Sequence, residues 1–150
     1  SDWVSFMRVP SNGTCASSVG MQGGVQPIFI GDACGTGNLI HEIGHLVGLW
    51  HEQNRADRDK HVLVRWENVA SGQGSQFALA GVWGKDRGAY DYSSIMHYPA
   101  DAFSSNGLPT IETLPEGIPI GQRFSLSAGD VAGVSELYGT AASLAVQACP

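Results

Sequence analysis

His41-Glu42-Ile43-Gly44-His45-Leu46-Val47-Gly48-Leu49-Trp50-His51-Glu52 is the stretch on which the reading of this chain turns. From Leu39 to Leu49 the apolar residues Leu39, Ile40, Ile43, Leu46 and Val47 recur at helical spacing. On such a helix His41 and His45 stack on one face, with Cβ atoms about 5–6 Å apart. Two imidazoles so placed can reach one ion at about 2.0–2.1 Å, the zinc–nitrogen distance. His51 is the informative residue. On an unbroken helix it would lie about 15 Å along the axis from His41 and roughly 80° round from it. The helix is therefore expected to end between His45 and His51, with Gly48 taking the left-handed conformation that stops it. The chain then turns back and supplies a third imidazole.

Three neutral histidines leave one coordination position open on zinc, which is the arrangement of a catalytic site; structural sites close with four protein ligands. Zinc lowers the pKa of a bound water to about 7 and polarises a carbonyl. Glu42, beside the first ligand, is placed to take that water's proton and pass it to a leaving amine. The implied chemistry is peptide-bond hydrolysis. With this chain's own His, Glu and Gly content, the five fixed positions recur by chance on the order of 10⁻⁵ per chain. A helix merely carrying surface histidines gives no reason for Gly48 and His51.

The rest of the chain bounds the reading. Its 150 residues are 43% hydrophobic and 15% charged, enough for one domain with a real core. The net charge of -6, with only eight scattered basic residues, argues against nucleic acid or an anionic membrane as partner. The uncharged stretch from Val9 to Gly31 is too rich in Ser, Gly, Asn, Gln and Pro to span a bilayer. No basic start followed by an apolar core opens the chain at Ser1-Asp2, so a secreted protein is expected here in processed form. Among three cysteines, Cys15 and Cys34 are able to close a loop and Cys149 is left over; three free thiols is the other arrangement. Twenty glycines mark turns, with loops expected at residues 35–38 and 81–88. Val25 to Ile30 reads as a strand, which Pro27 demotes to a sheet edge. Val62 to Trp66 is a second extended segment. Ser127 and Asp130 resemble a capping box opening a helix from Ala128 to Tyr138, with Val131, Val134 and Leu137 as its buried stripe. The expected class is a mixed, irregular α+β fold.

The motif continues as His51-Glu52-Gln53-Asn54-Arg55-Ala56-Asp57-Arg58-Asp59, and later comes Tyr90-Asp91-Tyr92-Ser93-Ser94-Ile95-Met96-His97-Tyr98. Together these resemble the astacin family of metzincin metalloendopeptidases, over roughly Val4 to Tyr138. The resemblance implies an active-site helix under a mixed sheet and an irregular C-terminal subdomain ending in a helix. It places the remainder of an upper subdomain, with the zinc helix, in residues 1–48. A lower subdomain with the methionine turn takes residues 49–150. It also implies further chain of the usual domain ahead of Ser1, present as a separate piece or removed.

Carried over residue by residue, the resemblance implies zinc held by His41, His45 and His51, with Glu42 as general base. Met96 becomes the apolar floor beneath the ligands; on the residues alone it reads as core filler. Tyr98 becomes a phenol that can ligate the resting metal and swing away to stabilise the oxyanion. Glu52 matches a buried glutamate that receives the mature N-terminus, against the plain reading of a solvated carboxylate. Arg123 matches a basic residue of the S1′ pocket, implying preference for an acidic residue after the scissile bond. Val25, Gln26 and Ile28 lie on a strand similar to the one that pairs with substrate backbone. Cys15 and Cys34 match a family disulfide, and Cys149 resembles a cysteine whose partner lies in the preceding part of the domain.

His61 and His97 are off ligand spacing and read as ordinary polar residues, and Asp57 and Asp59, which flank Arg58, as members of local salt bridges rather than calcium ligands. Asn12-Gly13-Thr14 is one glycosylation triplet. The chain thus reads as a secreted, extracellular zinc endopeptidase acting on peptide or protein substrates, with a propeptide or the preceding part of its own domain as further partners. The competing class is a zinc-holding but inactive module, which would have no need of Glu42.

Overall fold

The computed structural model describes residues 1–10 and 13–139, so Asn12 of the glycosylation triplet and Cys149 lie outside the described residues. Three strands form the first sheet: β1 (Trp3–Arg8), β2 (Cys15–Ser17) and β3 (Val25–Ile30). Their spatial order is β1-β3-β2, with β1 parallel and β2 antiparallel to β3. Helix α1 (Thr36–Leu46) packs against β2 and β3. A series of short 3₁₀ turns follows, then β4 (Val62–Val64) paired antiparallel with β5 (Ile111–Thr113), and α2 (Ala128–Tyr138). The architecture is α+β.

The edge reading of Val25 to Ile30 is corrected, because β3 is the middle strand. The Trp3 N–H bonds the Gly24 carbonyl and the Val9 N–H bonds the Ile30 carbonyl. By alternation, the even-numbered residues of β3 face β1 and Pro27 faces β2. The ladder to β2 stops at Ser17 opposite Ile28, so Pro27 sits just past its end and no bond is lost for want of its N–H. The true edge beside the helix is β2. Gln26 and Ile28, expected to present a strand to substrate, are instead buried beneath the sheet, while Val25 is about half exposed. The Gln26 amide donates to Gly20 O at 2.9 Å and accepts from Gln22 N at 3.1 Å, pinning the chain that leaves β2.

Cys15 and Cys34 are disulfide-bonded, with Cα atoms 5.6 Å apart. The bridge ties β2 to the turn that enters α1. Residues 36–38, expected in a loop, form the first turn of α1. The most buried residues of α1 are His41, Glu42, Gly44 and His45, while Ile43 of the apolar stripe is 38% exposed.

Val62, Val64, Phe77, Tyr90, Tyr98 and Ile111 form a hydrophobic core between β4–β5 and the loops. Full burial of each large apolar side chain contributes about 1.5–3 kcal/mol. Helix α2 has the bounds expected for it, and the capping box is present in full. Its Val131–Val134–Leu137 stripe is not buried, however: Val131 is 52% and Leu137 38% exposed. Asp130 and Gly133 seat the helix instead, because Gly133 allows close approach to Leu49.

Candidate active site

Helix α1 ends at Leu46, and Gly48 takes φ +98°, the left-handed setting that favours glycine. The Gly48 N–H closes the turn on His45 O and the Leu49 N–H on Gly44 O. The redirected chain brings His51 back to the helix. Its Nε2 lies 3.0 Å from His45 Nε2 and 3.3 Å from His41 Nε2.

These short nitrogen–nitrogen contacts are not ordinary hydrogen bonds. His41 Nδ1 lies 2.8 Å from Ile95 O and His45 Nδ1 lies 2.9 Å from Leu49 O. Carbonyl oxygens only accept, so both Nδ1 atoms carry the proton and both Nε2 atoms present lone pairs. His51 has at most one Nε2 proton to share between two lone pairs. A tetrahedral ion bound at about 2.0–2.1 Å needs nitrogen separations of about 3.3–3.4 Å, close to those observed. Anchoring of Nδ1 by a carbonyl is also the usual support of a ligating imidazole. The three side chains therefore fit zinc. Burial lowers the pKa of His41 to about 4 and depresses His45 and His51 as well, so all three are neutral at pH 7, the form that ligates.

Glu42 is buried beside His41. Burial pushes its carboxyl up to about 7, opposed by a hydrogen bond from the Ser17 backbone on β2 and by the nearby Arg123 cation. A carboxyl poised near neutrality suits proton transfer at physiological pH. Met96 is 1% exposed and lies under α1. A Cβ on Gly44 would sit 2.6 Å from Met96 Sδ, so the glycine inside the motif makes room for the sulfur. The Tyr98 ring is 4.3 Å from the His51 ring, and burial raises its phenol to about 12.

Arg123 donates from one guanidinium nitrogen to His97 O at 3.0 Å and to Gln122 O at 2.8 Å. The cation faces Glu42 and Tyr98. Its backbone crosses α1 at Gly37, where an added Cβ would collide with Arg123 O. Glu52 turns away from the histidines. It is mostly buried, accepts the Asp91 N–H at 2.8 Å and faces Arg55 at 3.4 Å. It lines a cavity of about 400 Å³ between the loop of residues 80–89 and α2. Burial raises its carboxyl to about 7. His97 is fully buried against the Tyr90 hydroxyl, and His61 stacks on Tyr90; neither belongs to the three-histidine cluster.

Sequence reasoning missed three residues that hold the site. Asp130 accepts from Ser94 Oγ and the Ile95 N–H, fixing the turn whose Ile95 carbonyl orients His41. Gln53, fully buried, accepts the Tyr98 N–H at 3.1 Å, and Gly37 admits Arg123. The capping box was the only signal pointing to Asp130, and it pointed to a local role.

The model of the astacin peptidase family matches residues 1–139. Zinc metalloproteinase nas-13 of Caenorhabditis elegans is 46% identical over 133 residues, covering 87% of this chain and 29% of that protein. The astacin-like metalloendopeptidase of Mus musculus is 40% identical over 95% of this chain and 33% of its own length. The chain thus spans about a third of these curated relatives. The solved structure of high choriolytic enzyme 1, a hatching enzyme zinc-protease from Oryzias latipes, superposes with a TM-score of 0.77 at 37% identity. That match covers 89% of this chain and 68% of the other. Myroilysin, at 22% identity and a TM-score of 0.61, shares the fold. With the motif, the histidine geometry and these likenesses in agreement, the chain belongs to the astacin family of zinc metalloproteinases.

Proposed function

We propose that this chain is the catalytic part of a secreted zinc endopeptidase that hydrolyses internal peptide bonds of protein substrates. The observation that carries the reading is the convergence of three Nε2 atoms, two of them left as lone pairs by Nδ1–carbonyl bonds, beside a buried Glu42. Bound zinc supplies a Lewis acid for the scissile carbonyl and lowers the pKa of water. Glu42 takes the proton of the attacking water and returns it to the leaving amine; its carboxyl near 7 is matched to both transfers. Tyr98 gives a hydrogen bond to the developing oxyanion. Among the described residues Arg123 spends one guanidinium nitrogen on its two carbonyl bonds and leaves the rest of the fork available, which supports an acidic preference just after the cleaved bond.

An extended substrate adds to β2, the strand whose Ser17 backbone touches Glu42 and which pairs only with β3 among the described residues. Glu52 receives the amino terminus of the mature enzyme in the 400 Å³ cavity, which balances its buried charge. Residues 1–48 serve as the upper and 49–150 as the lower side of the cleft. The Cys15–Cys34 bridge supports an oxidising, extracellular location. No helix among the described residues is long and apolar enough to cross a membrane.

Glu42→Gln is the deciding experiment, read on a quenched peptide library with metal analysis. The expected result is about one zinc per chain with cleavage reduced by several orders of magnitude, and an acidic P1′ preference in the unmodified protein. Cleavage that survives the substitution removes Glu42 from the mechanism.

A further inference from the structure

The single proton of the Tyr98 hydroxyl is already committed: it is donated to Gln76 Oε1 at 3.2 Å. The ring is boxed on its other sides by Phe103 at 5.5 Å and Phe77 at 6.1 Å, with His51 at 4.3 Å. Phe103 holds this place from φ +54°, a strained setting for a bulky residue and one that persists only when its surroundings impose it.

Both partners of the Tyr98–Gln76 bond are tied to one segment, the chain immediately after His51. Gln53 Oε1 accepts the Tyr98 N–H at 3.1 Å, and Gln53 Nε2 donates to Asn54 Oδ1 at 3.1 Å. Asn54 Nδ2 in turn donates to the Gln76 carbonyl at 3.1 Å and to the Ala78 carbonyl. Buried Arg58 donates to the carbonyls of Gln53 and Phe77. The turn Gly74–Phe77 is thus held at the carbonyls of Gln76 and Phe77, and the amide is presented to the phenol by a fixed frame. Nothing in the reaction as proposed above uses Gln76.

We propose that Gln76 is a positioning residue that latches the Tyr98 hydroxyl in its resting place, so that Tyr98 reaches an oxyanion only by giving up the Gln76 bond. This rests on the reading of Tyr98 as the oxyanion donor. A neutral amide oxygen is a weaker acceptor than an oxyanion, so the proton changes partner as charge develops and not while substrate merely sits in the cleft. Removing the acceptor raises the free enzyme in energy whether the phenol stays boxed with its hydroxyl unpaired or swings out. The transition state, in which the Gln76 bond is already broken, is unaffected. Loss of the latch therefore accelerates the reaction, by roughly the 2- to 10-fold spread typical of one neutral hydrogen bond.

The test is Gln76→Leu, placed in the unaltered protein and in Tyr98→Phe. Two readouts apply: kcat and KM on one quenched peptide, and the calorimetric affinity for a phosphinic peptide, whose tetrahedral anion mimics the oxyanion. Gln76→Leu should raise kcat/KM and tighten the phosphinic peptide about 2- to 10-fold with Tyr98 present. It should change both less than about 2-fold in Tyr98→Phe. Gln76→Glu, which keeps an acceptor oxygen, should not reproduce the gain. Should the leucine variant not fold, Gln76→Asn withdraws the acceptor with amide polarity retained, and the same gain is expected of it. A drop in both readouts, or equal changes in the two backgrounds, overturns the latch alone. Full kcat/KM in Tyr98→Phe sinks the oxyanion reading, and the latch with it.

Discussion

Asp130→Ala removes the carboxylate that joins α2 to the turn supporting the three-histidine cluster, and its cost can be worked bond by bond. Asp130 is 5% exposed and accepts three hydrogen bonds: from Ser94 Oγ at 2.6 Å, from Ile95 N at 2.9 Å and from Ser127 N at 2.8 Å. Bonds to a charged acceptor are worth about 1.5–3 kcal/mol each, and the loss strands buried donors on Ser94 and Ile95. The carboxylate also gains about 0.3–1 kcal/mol at the N-terminus of α2. Against this stands the relief of desolvating one carboxylate, and three bonds at one centre do not add in full. The expected net loss is about 4 kcal/mol, near 10³-fold in the folding equilibrium. The effect should also travel. Ser94 Oγ accepts the Met96 N–H and the Ile95 carbonyl accepts from His41 Nδ1, so a loosened turn frees the first imidazole. Losing such support typically costs about 10–100-fold in metal affinity. Urea unfolding with chelator present measures the first quantity, and competition against a chromophoric chelator under folding conditions measures the second. A stability loss below about 1 kcal/mol refutes the bond count. Unchanged zinc affinity in the folded variant refutes the coupling to His41.

The metal-free protein should be acid-sensitive. Burial lowers His41, His45, His51 and His97 below the ordinary 6.5, two of them to about 4, so the unfolded chain takes up these protons first and stability is lost as pH falls from 6.5 to 4. Glu42 and Glu52, raised from 4.5 to about 7, act oppositely, their contribution being present below 4.5 and lost as pH rises through 7, but two groups oppose four. The urea midpoint with chelator should therefore be lower at pH 5 than at pH 7, and an equal or higher midpoint at pH 5 contradicts this balance. Gly37→Ala improves helix propensity by about 1 kcal/mol yet drives a Cβ into Arg123 O. It should lower the melting temperature and blunt the acidic P1′ preference more than cleavage before neutral residues; a higher melting temperature with the preference intact would show that the contact does not matter.

What could be read in advance was what lies close together along the chain. His41, His45, Gly48 and His51 fall within eleven residues, and helix geometry alone forces the break at Gly48 and the return of His51. The capping box of α2 is local for the same reason. Reading failed wherever a residue answers to a partner far along the chain. Pro27 signals only that its N–H side is unpaired at one position, and a neighbouring strand that ends one residue short satisfies that in mid-sheet as well as an edge would. The stripe on α2 misled because packing at Gly133 and the buried Asp130 seats the helix by backbone proximity, which leaves no apolar periodicity to detect. On α1 the buried face carries His41, Glu42, Gly44 and His45, so hydrophobic spacing located the helix but not the side it hides. The same division separates chemistry from support. The residues that touch a metal or a reacting bond cluster in short motifs, because one helix and one turn can present them. Asp130, Gln53 and Gln76 act 20 or more residues away through one or two hydrogen bonds each, and a polar side chain's distant partner leaves no periodic trace.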